Sequence, residues 1–588
     1  MQHANPAVHT LYRMVKPGLE RALAFERLNA IAAEAEHLTD GDSAENRILR
    51  VLDAQCHVDE KLLALIPETG PLIVVANHPF GGVEGLLLAS LLKRRRKDVK
   101  ILANFLLGNI SQLRDLFIFV DPFAAPDSVR ANVSGMRETL RWLQDGGVLG
   151  VFPAGEVSHF DSAKREVSDP AWHDSIGRLA RHSGASVLPV FFEGSNSAWF
   201  HTLSMLHPRL RTMRLPHEFV NKRGLRTHAR IGSIITPERL ARFKNAADIT
   251  AYLRIRTYLQ REHGEARPSG MSPRHQNETP KMQPVVAALD SRQLRKEIER
   301  LPYEALLVTH EHFKVFSARA ADIPLVLHEI GRLREVTFRA NHEGTGKEID
   351  LDAFDQDYLH LFLWNEETGE IIAAYRLGQT DVVLPLRGKT GLYVKTLFNI
   401  RNRLLKQISP ALEMGRSFVR IEYQRQFLPL VLLWRGIGAY VVKNPRYRNL
   451  FGPVSINSAY SKVSQQILVD FLSRNNMDSR AQLVRGKTPP VPRRSHGFDP
   501  KTMSTVVRDI SDLSNLIADI EDDHKDIPIL LKQYLKLGGV LLGFNIDPDF
   551  SDVLDGLILV DLTKTDPRML ERYMGRNGLA SFLTYWGV

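Results

Sequence analysis

Five short, unbroken apolar runs alternate with helical patterns across the first two hundred residues, and this alternation limits the fold more than any other feature. The runs are PLIVVAN (71–77), VKILAN (99–104), LFIFVD (116–121), VLGVFP (148–153) and ASVLPVFFE (185–193). A strand with one wet face alternates apolar with polar residues; one that is apolar throughout must be covered on both faces. Between the runs, GVEGLLLASLLKRRRK and SVRANVSGMRETLRWLQDGG space their apolar residues as helices do. The order predicts an α/β fold with a largely parallel sheet.

The alternation stops at EHGEARPSGMSPRHQNETPKMQP (262–284), a polar stretch with Pro and Gly and neither period, which reads as an interdomain linker. The expected layout is a first domain over 1–261, the linker 262–284 and a second domain over 285–588. Past the linker, LDSRQLRKEIERLP and ADIPLVLHEIGRLREVTFRAN read as helices, and YLHLFLWN with EIIAAYRL as a hairpin around Glu366–Gly369. FVRIEY reads as a strand, and LPLVLLWRGIGAYVVKN starts a long helix. The polar stretch 484–502 reads as a loop or insertion inside this α+β domain.

Composition narrows the class. With 44% hydrophobic and 24% charged residues the chain is ordinary globular protein, neither disordered nor fibrous. One cysteine, Cys56, excludes an internal disulfide and any Cys-based zinc or redox motif, and points to a reducing compartment. A net charge of +10 suits anionic partners without choosing among nucleic acid, lipid headgroups, an acidic carrier protein and phosphorylated substrates. No stretch reaches the roughly 20 apolar residues of a membrane span. The N-terminal MQHANPAVHTLYRMVKPGLERALAFERL has no signal-peptide core, so the expected place is the cytosol or a membrane surface.

VVANHPFGGVEGLLLASLL sets Asn77 and His78 at the C-terminal end of an apolar strand, where open α/β sheets build their sites. An imidazole there, with an unperturbed pKa of about 6.5, takes a proton from a hydroxyl; a carboxylate one loop later, Glu84, stabilises the imidazolium. VANHPFGGVEG, DLFIFVDPF, GVLGVFPAGEVSHF and VLPVFFEG follow in that order, and over roughly 40–260 this resembles the glycerolipid acyltransferase family with its four blocks. The resemblance implies His78 and Glu84 as the catalytic pair, with Asn77, Gly81, Gly82, Phe152, Pro153, Gly155, Glu156 and Ser158 around the acceptor.

The departures from the family pattern are informative. Its acid lies five positions after the histidine; here Val83 is there and Glu84 lies one further, so Gly81 and Gly82 must absorb a residue. Ala154 replaces the usual glutamate, Val157 the usual arginine, and Asp121 stands where the second block would carry an arginine. Those arginines would hold a phosphate by charge-assisted hydrogen bonds, so their absence points to an acceptor without glycerol phosphate. The basic run Lys93–Lys97 suits either anionic lipid or carrier protein, or a solvated helix end.

In the second domain, Glu335 and Arg339 share a helix, Asp350, Asp352, Asp355 and Asp357 follow, and Arg376 lies on a strand; Glu413 and Arg416 come later. Acids and strand arginines together suit both charged ends of an amino acid; surface ion pairing gives the same pattern. The region from about 290 to 585 is similar to the ornithine N-acyltransferase family of the GNAT superfamily, and to acyl-homoserine lactone synthases. The Arg–Phe–acid–acid–Arg–Glu–Arg series of that family falls on Arg334, Phe338, Asp355, Asp357, Arg376, Glu413 and Arg416, the choice among the four aspartates staying open. The resemblance implies that Glu413 accepts or relays the amine proton, and that Glu335, Arg339, Asp355, Asp357, Arg376 and Arg416 hold substrate.

Together the two resemblances look like the bifunctional ornithine lipid synthases of bacteria. They imply N-acylation of an amino acid, ornithine first, with a 3-hydroxyacyl thioester, then O-acylation of the 3-hydroxyl. The GNAT pyrophosphate loop, Arg/Gln-x-x-Gly-x-Gly, is not evident, which fits an acyl carrier protein thioester better than free CoA. No bound cofactor, metal or nucleic acid is expected; the partners are the carrier protein, the amino acid, the lyso-lipid and the cytoplasmic face of the inner membrane. Two other readings stay open: an N-acyl amino acid synthase with an inert first domain, and a non-catalytic lipid- or carrier-binding protein. G-x-S-x-G and H-E-x-x-H are absent, which argues against a serine hydrolase or a zincin.

Overall fold

The computed structural model describes residues 25–38, 41–104, 111–120, 128–162, 165–206, 208–262, 282–341, 343–457, 459–490, 500–521, 523–547 and 553–588. The chain forms two compact units, Met1–Gly270 with Arg494–Asp512, and Met271–Arg493 with Leu513–Val588.

The first unit contains β1 (Gln55–His57), β2 (Leu72–Ala76), β3 (Val99–Asn104), β4 (Phe117–Val120), β5 (Val148–Val151), a small hairpin of β6 (His159–Asp161) and β7 (Glu166–Ser168), then β8 (Ser186–Phe192) and β9 (Arg226–Ile231). Seven of these form one sheet in the order β1-β9-β8-β2-β5-β3-β4, parallel except for the β8–β9 pair. All five residues of β2 are buried, flanked by β5 and β8. Each fully buried Val, Leu or Ile there contributes roughly 1.5–3 kcal/mol. The helix Val83–Lys93 returns over the sheet with Leu86, Leu88 and Leu92 in the same core. A rigid central strand thus ends one residue before Asn77.

The stretch Arg494–Asp512 belongs to this first unit, which divides the loop or insertion read at 484–502 between the two units. Buried Val506 and Val507 and an ion pair from Arg508 to Asp248 hold it there. Most of the 262–284 linker, and 491–499, lie outside the described residues.

The second unit contains β10 (Leu306–His310), β11 (Phe313–Arg319), β12 (Leu359–Asn365), β13 (Glu370–Gln379), β14 (Phe398–Ile400), β15 (Ala411–Val419), β16 (Asn449–Ile456), β17 (Val484–Gly486), β18 (Val540–Asp547) and β19 (Val553–Asp561). Eight form a sheet ordered β10-β11-β12-β13-β15-β16-β19-β18, antiparallel save for the β15–β16 pair. That pair is matched only from Ala411 to Glu413 against Asn449 to Phe451. The predicted hairpin is β12–β13, with Asn365 opposite Glu370. The strand read at FVRIEY ends instead at Val419; Ile421–Tyr423 is one 3-10 turn, and the apolar pattern of the strand lies in ALEMGRSFV.

Helix Leu428–Lys443 covers one face of this sheet, with Trp434 edge-on to Tyr375 at 6.4 Å. On the other face, helix Pro324–Ala340 packs over Phe316, Phe362, Ala374 and Phe418. A separate apolar cluster there joins Val383, Leu392, Val394 and Phe398 to Phe451, Leu557 and Leu559. Side chains on a strand repeat every second residue, so Arg376, two after Ala374, projects on this same face, beside the polar groups described next.

Candidate active sites

Beyond β2 the chain first secures its strand and then presents a histidine. Asn77, buried, accepts the Phe192 N–H at 2.7 Å and donates to the Phe192 carbonyl at 2.9 Å, tying β2 to β8. Its amide is thus engaged by backbone, where the sequence reading placed it around the acceptor. His78 Nδ1 lies 2.8 Å from Glu84 Oε1, and the His78 side chain keeps 19% of its surface exposed while Glu84 has none. Glu84 also accepts the backbone N–H groups of Phe80, Gly81 and Gly82, each at 2.8 Å. The extra residue between histidine and acid is absorbed at Gly81. Its φ is +89°, and a Cβ there would lie 2.7 Å from Leu215 and 2.8 Å from Val157.

Burial opposes charge on both partners, yet their mutual attraction prevails. Glu84 is held at about 2 by His78 and the Gly81 and Gly82 amides. Burial pulls the His78 imidazole down, but Glu84, and more weakly Asp169, leave it above its ordinary value. With Nδ1 engaged by Glu84, Nε2 is the nitrogen left for a substrate proton.

The third block packs around this pair. Phe152 stacks on the His78 ring with centroids 4.7 Å apart. Gly155, at φ +65°, donates to the Phe152 carbonyl at 3.0 Å and closes the turn, while the Pro153 carbonyl accepts the His173 N–H at 3.0 Å. Ser158 donates its N–H to the His78 carbonyl at 2.8 Å. Glu156, half exposed, pairs with Arg211, whose other amino group is 2.9 Å from His159 Nδ1. Ala154 and Val157, at the positions of the expected glutamate and arginine, are buried in the core. Asp121 lies outside the described residues. In the basic run, Lys93 pairs with Glu45, and Arg94 and Arg95 with exposed Glu60 and Glu68, as at a solvated helix end, whereas Arg96 is buried against Asp98 and the Pro67, Gly70 and Gly146 carbonyls.

In the second unit, each residue of helix Pro324–Ala340 turns by about 100° from the last, and that rotation separates neighbours. Arg334 faces the sheet, fully buried, and donates to Asp355 at 2.8 Å. Glu335 and Arg339 face the following loop instead: they pair at 2.7 Å, and Glu335 accepts from the Thr345 N–H, the Thr345 hydroxyl and the Gly346 N–H. They brace that loop and do not join the cluster around Arg376. Asp357 is likewise outside it, paired at 3.0 Å with exposed Arg387.

The cluster itself holds three arginines and three aspartates. Fully buried Arg376 reaches Asp352 at 2.5 Å and Asp355 at 3.2 Å; Arg416 lies 3.5 Å from Asp350 and 3.8 Å from Asp352. The Arg376 guanidinium sits 5.3 Å from the Tyr358 and Tyr393 rings, and Arg416 5.0 Å from Tyr393. Arg416 has φ +49°, and the β13–β15 register shifts between Ala374 and Arg376, so a bulge aims this side chain. Burial works against charge on Asp355, but Arg334 and Arg376 hold it well below the usual carboxylate range.

Glu413 is fully buried, accepts the Tyr358 hydroxyl, and takes the Val394 N–H at 2.5 Å and the Tyr393 N–H at 3.2 Å. Burial raises its carboxyl, with those donors opposing. Asp555, directly across from Ser455, accepts that hydroxyl at 2.9 Å. Ser455 is four residues after Phe451, the partner of Glu413, so Asp555 projects on the same sheet face as Glu413. Burial pushes Asp555 up to about 7, with Asp547 and Glu343 adding and Arg416 opposing. Glu343 is likewise pushed up to about 7 by burial against the pull of Arg416. A carboxyl titrating near 7 is suited to accepting a proton at neutral pH. Among the described residues no group of three or more His, Cys, Asp or Glu side chains is placed to hold a metal ion.

Known proteins match both halves of this description. Residues 50–266 match the family described as acyltransferase, and 333–434 the acetyltransferase (GNAT) domain. A glycine N(alpha)-acyltransferase of Bacteroides thetaiotaomicron is 33% identical over 263 residues, 42% of this chain and 77% of that protein. One of Phocaeicola vulgatus is 30% identical over 299 residues, 47% of this chain and 89% of that protein. The chain belongs to this acyltransferase family. A lyso-glycine lipid O-acyltransferase of Phocaeicola vulgatus is also similar, 30% identical over 193 residues, covering 33% of this chain and 66% of that protein. The acyltransferase thus carries an acyltransferase domain and a GNAT domain in one polypeptide.

Several groups that shape the two sites of this acyltransferase escaped the sequence reading. Asp169 accepts the His78 N–H at 3.1 Å, the Ser158 hydroxyl and the Trp172 indole at 2.9 Å, fixing the dyad from behind. Arg211 arrives from a helix more than 50 residues after Glu156 and no block announces it. Asp555 did leave a signal: an acid inside the apolar run VLDGLILVD, where a buried strand has no other use for charge.

Proposed function

We propose that this acyltransferase makes a two-chain amino-acid lipid, with each domain performing one transfer. In the GNAT domain the amine attacks the carbonyl of a 3-hydroxyacyl thioester. Asp555 takes the amine proton, the C–N bond forms as the C–S bond breaks, and the departing thiolate takes that proton back from Asp555. Glu413 holds Tyr358 and the Tyr393–Val394 backbone in place. In the first domain His78 Nε2 removes the proton of the acyl 3-hydroxyl as that oxygen attacks a second thioester. Glu84 stabilises the imidazolium, which returns its proton to the departing thiolate.

One observation carries this reading: a single chain holds two separately built sites, a His–carboxylate dyad and an Arg–Asp cluster, each suited to one of two successive acylations. The names of the relatives, a glycine N(alpha)-acyltransferase and a lyso-glycine lipid O-acyltransferase, support one N-acylation and one O-acylation in general terms. The buried, apolar Ala154 and Val157 agree with an acceptor that carries no phosphate. The donor in this reading is an acyl carrier protein thioester, and the enzyme works on the cytoplasmic face of the inner membrane. No described helix is long and apolar enough to cross a membrane.

For the amino acid, the carboxyls Glu343 and Asp555 crowd Arg416 in addition to its partners Asp350 and Asp352. That surplus suits an amino acid with a second amine, ornithine, better than glycine. The test supplies purified enzyme with a 3-hydroxyacyl thioester and one amino acid at a time. Ornithine should give the highest kcat/KM; a preference for glycine contradicts this part of the reading.

A further inference from the structure

Helices Ala198–Leu206 and Pro208–Val220 follow β8 and lie beside the His78 loop, with Leu215 against Gly81 and Phe219 against Gly82. Their outward surface is unusual for this chain. The described exposed positions are Ala198, Trp199, Thr202, Met205, Thr212 and Met213, none of them charged. Trp199, Met205 and Met213 are 58%, 57% and 47% exposed. On a chain with 24% charged residues, an outer face whose described exposed residues are all uncharged and include Trp and two Met marks a surface that is covered in use.

Of the arginines in these helices whose side chains are described, Arg211 pairs with Glu156, and Arg214 lies 3.5 Å from buried Glu218. Even so, three arginines against one glutamate over 198–220 leave the segment cationic. An apolar face with an indole, on a cationic helix pair, is complementary to an anionic lipid leaflet. An acidic carrier protein would offer carboxylates to this face but no apolar phase for Trp199, Met205 and Met213. The Lys93–Arg96 run, each member of it ion-paired, offers less for either partner.

We propose that the face formed by Trp199, Met205 and Met213 docks this enzyme on an anionic lipid bilayer, placing the His78 loop at the membrane surface. The inference rests on the O-acylation reading, since a lyso-lipid acceptor held in the bilayer then reaches the dyad without crossing water.

The test is co-sedimentation of the full chain with phosphatidylglycerol vesicles and with phosphatidylcholine vesicles, comparing wild type with Trp199→Ser/Met205→Ser/Met213→Ser. Wild type should bind the anionic vesicles, and the triple variant should lose at least about tenfold in partitioning. A second measurement does not depend on how the triple variant folds. Bromine-labelled lipid should quench part of the wild-type tryptophan fluorescence, and Trp199→Phe should remove that part. Unchanged binding by the folded triple variant, or quenching unaltered by Trp199→Phe, overturns the proposal; so does loss of self-association in the variant with vesicle binding intact. O-acylation of a lyso-lipid dispersed in detergent is read alongside. Its absence in wild type would sink the O-acyltransferase reading, while the vesicle result would still decide the docking face.

Discussion

The bases proposed for the two sites, His78 and Asp555, are both lifted above their ordinary values, and by opposite means. In the first unit the proposed base is a histidine, lifted by a carboxylate that three backbone amides and the imidazole hold at about 2. In the second the base is itself a carboxyl, lifted to about 7 because burial outweighs the pull of a nearby arginine. The first device needs a fully satisfied acid; the second needs an incompletely compensated one. A hydroxyl acceptor calls for a base that also stabilises its own charged form, which Glu84 does for His78. An ammonium acceptor brings positive charge with it, and a carboxyl left short of cations is ready for that.

The largest expected effect breaks the comparison at one end. His78→Ala should lower O-acylation about 10²–10⁴-fold while N-acylation by the same protein stays at wild-type rate, measured with separate acceptors. Asp555→Asn comes next. It should cut N-acylation about 10²-fold, spare O-acylation, and abolish the pH limb. In wild type that limb rises with pH through about 7, because Asp555 must lose its proton before it can accept one. A wild-type profile flat between pH 6 and about 8 would move the base elsewhere.

Glu84→Gln sharpens the other end. The carboxylate is what raises His78, so its removal should shift the O-acylation midpoint down from above the ordinary histidine value of about 6.5. The rate at high pH should fall by roughly tenfold as the imidazolium loses its partner. An unmoved midpoint would show that another group titrates. The smallest effect on chemistry belongs to Asn77→Ala, which leaves the Phe192 backbone groups unpaired. It should cost about 1–3 kcal/mol of stability in thermal or urea unfolding, with activity of the folded enzyme changed only a few-fold.

The first site was almost wholly legible because its residues are local. NHPFGGVEG contains the dyad, its glycine hinge and the helix that carries the acid, and the apolar run before it fixes the strand end. Only Asp169 and Arg211, which come from later segments, were invisible. The second site was legible as a set of residue types and not as a set of partners. Arg334 and Glu335 are adjacent in sequence, yet one rotation along the helix sends the first to the sheet and the second to the loop. The same difficulty separates Asp355 from Asp357, two residues apart, of which one joins Arg376 and the other Arg387. Strand alternation would have placed Asp555 on the sheet face of Glu413, but only once the β15–β16–β19 register was known.

Two sites acting in series are tested most directly by the lipid profile of cells expressing wild type, His78→Ala and Asp555→Asn. Wild type should give the diacyl amino-acid lipid, and His78→Ala should accumulate the monoacyl form. Asp555→Asn should give neither until synthetic monoacyl lipid is supplied, and then the diacyl product. Diacyl lipid at wild-type level from His78→Ala, or failure of supplied monoacyl lipid to restore it in folded Asp555→Asn protein, would contradict the account.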